Sequence, residues 1–251
     1  MKTAYQNPIM NSVYGEPEHY LDKHLLQNII YINAFSDNEN SVKIIFDQID
    51  FKIVSISNYV KSFLGYNAAE MLDMNLLSMI HSFKDDPPFT PLLLLNWFKR
   101  FSSMAANRFT DASISCCGLQ IKHRQGYSMR VLVRYRVLES DPNGLPKMAV
   151  ITVNNISHLM QEPFYWGRIV FEGQQQHFIS KNRQYLSQDI VSVREKDVLY
   201  FLARGFSSKE IAGKLFISSH TVDHHRRNMI ARTGLRDTTA LLQIMHMIGV
   251  I

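Results

Sequence analysis

The stretch SVREKDVLYFLARGFSSKEIAGKLFISSHTVDHHRRNMIARTG, residues 192–234, opens two helices within its first sixteen residues. Ser192 with Glu195, and Ser207 with Glu210, each place a serine oxygen and a carboxylate three positions apart. That spacing satisfies exposed amides at a helix start. The first of these helices buries Val198, Leu199 and Leu202 and stops at Gly205, a residue that takes the left-handed conformation of a helix end without strain. The second buries Ile211 and Leu215. After Phe216 a short turn, Ile217-Ser218, leads into a third helix with Ser218 or Ser219 as its N-cap.

Two faces of the third helix can be counted out. Val222, His225 or Arg226, Met229 and Thr233 share one side at helical spacing and suit packing on the first two helices. His220, Asp223, His224, Arg227 and Ala231 share another, polar except at its end. A packed face opposed to a short, partly cationic face, entered by a tight turn, is what reading a major groove asks for. Gly234 ends this helix and Asp237 caps a fourth, striped by Leu241, Leu242, Met245 and Ile248.

Residues 187–251 resemble the DNA-binding domain of LuxR/FixJ-type regulators. The resemblance is carried by Arg194-Glu195 with Val198-Leu199, Gly205, Lys209-Glu210-Ile211-Ala212 with Leu215, Ile217-Ser218, Thr221-Val222, His225 and Gly234. It implies base contacts at Asp223, His224 and Arg227 and phosphate contacts at Lys209, Thr221 and Arg232. It also implies a fourth helix that pairs with its twin, here through Leu241, Met245 and Ile248. Asp223 stands where the family often has Lys, and Thr233 where it often has Leu. Asp223 and Arg227, four residues apart, are neighbours on the outward face, so the carboxylate is expected to hold the Arg227 fork or to accept from a cytosine amino group.

Upstream, Leu21, Leu25 and Ile29 recur at fourfold spacing with Leu26 and Ile30 beside them, an amphipathic helix within an N-terminal extension, residues 1–39. IIFDQI and KIVSIS then read as a strand hairpin broken near Asp50. Short helices are expected at 58–64, 68–72 and 76–80, and a longer one over 91–104. Three strands follow, ASISCCGLQIKH, YSMRVLVRYRVL and KMAVITVNNIS, with turns at Gly126 and at 141–144. Residues 40–158 resemble a PAS domain. The carriers are Ile53 to Ser57, Phe63-Leu64-Gly65-Tyr66, Glu70-Met71-Leu72, Ile80-His81 with Asp85 and Asp86, and the three closing strands. The resemblance implies a five-stranded sheet with helices on one face and a cavity between them. Residues 159–186 form a linker or a further hairpin around Glu172-Gly173.

The expected fold class is therefore α+β: a PAS-like five-stranded sheet with helices, followed by an all-α four-helix unit. A hydrophobic fraction of 46% with 20% charged residues belongs to a chain that buries real cores. The net charge of +5 is compatible with a polyanionic partner, and residues 187–251 hold nine Lys or Arg against six Asp or Glu. No apolar run approaches the roughly 20 residues of a membrane span, and the first residues lack a signal peptide's apolar core. A cytoplasmic protein is expected.

The adjacent Cys116 and Cys117 make no metal or redox spacing; packed strand cysteines are favoured over a flavin-linked thiol. His81 reads as a hydrogen-bonding helix end rather than a haem ligand. His220 and His224 have a zinc spacing without a third ligand. The sequence names no cofactor. With no phosphate loop, paired catalytic carboxylates or nucleophile elbow, an enzyme is not expected.

The function that follows is a sequence-specific transcription regulator acting on double-stranded DNA as a homodimer, with RNA polymerase as the partner the family implies. A small-molecule ligand or a protein would bind at the PAS-like unit. Two alternatives stay open: a receptor of the acyl-homoserine lactone type with the same DNA-binding domain, and a PAS-based protein-interaction adaptor.

Overall fold

The computed structural model describes residues 41–48, 50–76, 113–141, 146–160, 165–171, 174–181, 184–187 and 189–251. The N-terminal extension with its amphipathic helix around Leu21 to Ile30, the helix expected over 91–104, and nearly all of that over 76–80 lie outside the described residues. So do His81, Asp85, Asp86 and most of the turn at 141–144.

A hairpin opens the described chain, β1 (Ser41–Asp47) pairing antiparallel with β2 (Ile53–Ile56). Two short helices follow, α1 (Val60–Leu64) and α2 (Ala68–Leu72). The first stops at Gly65, whose φ of 81° is left-handed and whose place a Cβ would enter only 2.8 Å from the His123 ring. Both the turn and the close approach require glycine there. The second starts at Asn67, whose amide donates to Glu70 Oε2 at 2.8 Å. Three long strands complete this part: β3 (Ser113–Lys122), β4 (Ser128–Ser140) and β5 (Pro146–Asn155). The strand order β2-β1-β5-β4-β3 is a five-stranded antiparallel sheet.

The sheet does not end at β3. The segment read as linker or hairpin forms β6 (Tyr165–Phe171), β7 (Gln174–Lys181) and β8 (Gln184–Ser187), antiparallel throughout. Because β6 pairs with β3, Cys117 opposite Trp166, the described sheet has eight strands in the order β2-β1-β5-β4-β3-β6-β7-β8. Pairing the exposed edge of β3 satisfies a row of backbone groups that water would otherwise have to serve. The expectation was a five-stranded PAS-like sheet with residues 159–186 open between a linker and a further hairpin; that β6 pairs along β3 and so extends the sheet is a long-range contact that no local pattern states.

Side chains alternate across these strands and feed two cores. On one face Val42, Ile44 and Phe46, with Cys116, Val131 and Tyr135, pack against Val60, Phe63, Leu64 and Met71 of the short helices. On the other, Cys117, Leu132 and Trp166 join the C-terminal helices. The adjacent cysteines thus serve opposite cores, both buried. Burial pushes the Cys116 thiol up to about 12, so it stays protonated and inert as a nucleophile. At Gly118, φ 88°, the β3–β4 register shifts. The extra residue turns Leu119 to the face of Cys116.

The remaining chain is helical: α3 (Val193–Leu202), α4 (Ser208–Leu215), α5 (Ser219–Thr233) and α6 (Thr238–Met247). Both serine–glutamate capping boxes form, and Ser218 and Asp237 cap α5 and α6. None of the described helices is long and apolar enough to cross a membrane.

Candidate nucleic-acid interface

The interface is built on α4, its turn and α5. Phe216 ends α4 in a left-handed conformation, φ 54°, and Ser218 accepts from the Thr221 amide at 3.0 Å to start α5. Val222, Met229 and Thr233 are buried. The Thr233 hydroxyl donates to the Met229 carbonyl at 2.7 Å, which lets a polar residue fill a position in the core. Opposite, His220, His224, Arg227 and Ala231 are exposed. The two faces lie where helical spacing put them.

His224 and Arg227 project from the same exposed side, and no carboxylate pairs with Arg227 at ion-pair distance among the described residues. Lys209, in the first turn of α4, is exposed. Thr221 is half-buried, its hydroxyl 2.8 Å from Ser218 Oγ. Thr221 lies in the first turn of α5, where unpaired amides and the helix dipole favour anions, and His224 and Arg227 follow one and two turns further along the same helix.

Asp223 is placed differently from expectation. Its Oδ1 accepts from Ser208 Oγ at 2.6 Å and from Arg226 Nη1 at 3.3 Å, not from Arg227. Arg226 continues to Ser208 Oγ at 3.0 Å and, through Nη2, to Thr238 Oγ1 at 3.0 Å. The Ser208 hydrogen bond, helped by the Arg226 charge, holds the Asp223 carboxyl below the usual range. Arg226 wins because Ser208 and Thr238 anchor it across the helix packing, whereas Arg227 points to solvent. Through Ser208 and Arg226 the Asp223 carboxylate takes part in a network that joins α4, α5 and α6.

Arg232 also departs from its expected role. Its guanidinium forks onto Glu195, Nη1 to Oε2 at 2.9 Å and Nη2 to Oε1 at 3.1 Å, and Nη1 reaches the Ile190 carbonyl at 2.9 Å. Glu195 is 3% exposed. Burial opposes its ionisation, but Arg232 and the Ser192 amide outweigh that and hold the carboxyl low. With both nitrogens committed to a buried acid, Arg232 is an internal tie and not a free phosphate ligand.

The apolar stripe of the fourth helix is covered within the chain. Leu241 and Met245 are 0% exposed and Ile248 6%, all within one chain. They belong to the core that includes Cys117, Leu132, Ile156, Leu159 and Trp166 of the sheet unit. As placed here they offer no surface to a twin.

Sequence reasoning missed the residues that attach the two units. Trp166 Nε1 donates to the Thr233 carbonyl at 3.0 Å. The Arg236 amide donates to the Leu159 carbonyl at 2.9 Å, beside a bridge between Met160 and Leu235. Arg134 and Arg168, on strands, donate to the carbonyls of Met247 and Ile248. An arginine alternating with apolar residues was the only local signal, and it reads equally as a solvated strand face.

Comparison with known proteins assigns the helical unit. Residues 189–245 match the family described as "Bacterial regulatory proteins, luxR family", so the C-terminal unit is a LuxR-type helix-turn-helix domain. The oxygen regulatory protein NreC of Staphylococcus aureus, strain JH9, is 39% identical over 54 residues, 22% of this chain. The match spans only 25% of that relative's length. Among solved structures, the VqmA dimer of Vibrio cholerae, described as a LuxR-type receptor in the absence of target DNA, covers 92% of this chain and 89% of its own, with 14% identity and a TM-score of 0.34. A PAS domain from a two-component sensor histidine kinase covers 52% of this chain and 97% of its own, with 9% identity and a TM-score of 0.36.

Proposed function

We propose that this protein is a transcription regulator that reads double-stranded DNA with α5, pairs as a homodimer on two half-sites, and is controlled from its PAS-like sheet unit. The observation that carries the reading is the exposed face of α5, His220, His224 and Arg227, opposed to a fully packed face within a LuxR-type domain. Arg227 and His224 read base edges, as an arginine fork suits guanine and an imidazole suits an acceptor or donor in the groove. Lys209 and Thr221 hold phosphates and set the register of the helix. Asp223 positions Arg226 and stays off the bases.

Selection of bound sequences from a random DNA library by the full chain, followed by titration at two salt concentrations, tests this. The expected result is a small set of sequences with two-fold symmetry, bound about a thousandfold or more tighter than random DNA. Affinity should fall steeply with salt for both. Uniform weak binding to every sequence would leave the basic helical face as a solvated surface and favour the adaptor.

A further inference from the structure

In an antiparallel sheet, residues opposite one another on neighbouring strands point to the same face. The register sets Lys43 of β1, Thr152 of β5, Arg134 of β4, Ser115 of β3 and Arg168 of β6 opposite one another in turn, and runs on to His177 of β7. From Lys43 to Arg168 the row lies on the face of Cys117 and Trp166, away from α1 and α2. It contains cations and hydroxyls and no carboxylate. The rows on either side contain no carboxylate either, and their one charged residue is another cation, the exposed Arg136 between Ser113 and Val150.

Arg168 is 7% exposed and, among the described residues, meets no carboxylate. A guanidinium does not shed its proton to escape burial, so its charge calls for an anion. Its Nη1 donates to the Ile248 carbonyl, and Arg134 Nη1 donates to the Met247 carbonyl at 3.0 Å. Both carbonyls belong to the end of α6, where the helix dipole amounts to about half a negative charge. Set against two whole positive charges, that leaves the pair largely uncompensated. Arg168 Nε is buried without a hydrogen-bond partner, a costly state for a donor. With Nη1 committed to Ile248, the edge that remains is that of Nε and Nη2, whose parallel N–H groups take two oxygens of a carboxylate or phosphate side by side. Ser115, the neighbouring residue of the row, brings a hydroxyl to the same place. Gly249 borders it without a side chain; a Cβ there would stand 3.9 Å from Arg168 Nη1.

We propose that Arg168, with Ser115 and the charge of Arg134, binds a small oxyanion, the phosphate or carboxylate group of a metabolite, on the face of the sheet opposite α1 and α2. The anion lies along the Nε–Nη2 edge of Arg168 and accepts from Ser115 Oγ. Three neighbouring rows without an acid give that face a positive potential that draws the anion in, and exclusion of water strengthens the contact once it is made. Arg168 and Ser115 are each 7% exposed, so the opening suits a single anionic group and not a nucleic-acid strand. The site needs neither DNA nor a second copy of the chain, and stands apart from the reading given to α5.

The test titrates the full chain with inorganic phosphate, and separately with citrate, at an ionic strength held constant with sodium chloride. The readouts are the assigned Arg168 Nε–H resonance and the melting temperature. At least one of the anions should move that resonance saturably and raise the melting temperature, as binding to the native state requires. Arg168→Gln should abolish the rise, and Arg168→Lys, which keeps the charge but lacks the edge, should weaken binding about tenfold. A response to phosphate alone marks a phosphorylated ligand and a response to citrate alone a carboxylic acid; either supports the site. A resonance that neither anion moves overturns it, as does a rise of full strength that survives Arg168→Gln and so places the anion elsewhere. Proximity of the Arg168 Nε–H to an Asp or Glu of the chain itself, seen by cross-relaxation before any anion is added, also overturns it, because the edge is then already filled. Should Arg168→Gln misfold, the wild-type resonance decides, since its movement needs no variant. No DNA is present, so the outcome is independent of whether the chain selects a DNA sequence.

Discussion

Arg227 and Asp223 sit one helical turn apart, yet their surroundings differ. Arg227 is exposed and points away from the helix packing; Asp223 is drawn inward by Ser208 at 2.6 Å and by Arg226. Replacing Arg227 with Ala should cost about 1 to 3 kcal/mol at the preferred site and relax one base position, measured by titration and library selection at one salt concentration. Asp223→Asn keeps an acceptor for Ser208 but removes the charge facing Arg226. It should lower affinity for all sequences alike and leave the selected sequence unchanged. A changed base preference with Asp223→Asn would show that the carboxylate reads DNA after all. Asp223→Lys adds a cation near phosphates but opposes Arg226, so it should raise non-specific binding while melting the domain at lower temperature.

Helix ends decide stability at the next scale. Glu195 caps α3 through Ser192 and also anchors Arg232 of α5, so one buried carboxylate joins two helices. Its folded-state proton affinity is depressed, so its contribution is fully present above the unfolded carboxylate value of about 4.3 and is lost as pH falls through the lower folded value. Thermal melts of the chain from pH 7 down to pH 3 should therefore show stability falling below about pH 4.3, and Glu195→Gln should flatten that decline. Arg232→Ala, which strands the buried acid, should cost about 3 kcal/mol near neutral pH. Phe216 offers the opposite case. It holds a left-handed φ of 54° with its side chain 94% exposed, so the ring packs on nothing that offsets the backbone cost. Phe216→Gly should stabilise the helical unit by up to about 1 kcal/mol, read as a rise in melting temperature. A fall would show that the ring rests on a partner.

For the whole molecule, the helical unit is not walled off from the sheet. Its core is continuous with Cys117, Leu132, Ile156, Leu159 and Trp166. Excised residues 187–251 should still be helical by circular dichroism, because caps and internal faces lie within them, but should melt below the same unit in the full chain. Equal melting temperatures would mean that the shared core contributes nothing. The fragment should also associate more readily than the full chain, since the end of α6 is then uncovered.

The sequence alone determined the elements and their local chemistry. Serine–glutamate boxes, Gly205 and Gly234, and the two faces of α5 are signals carried within a few residues. Their geometry follows from the 3.6-residue repeat and from which side chains can satisfy a helix end. The alternation of β3 to β5 likewise announced a sheet with two unlike faces, and Cys116 and Cys117 fell on opposite cores as that alternation requires. Tertiary structure decided which charged group meets which. Glu195 lies 37 residues from Arg232 and Arg168 lies 80 from Ile248; no periodicity links such positions, and only the packed chain brings them within hydrogen-bond reach. The same holds for the fourth helix. An apolar stripe states that Leu241, Met245 and Ile248 must be covered, because apolar area is driven out of water by whatever surface is at hand. It does not state by what, and in this molecule the cover comes from within the chain.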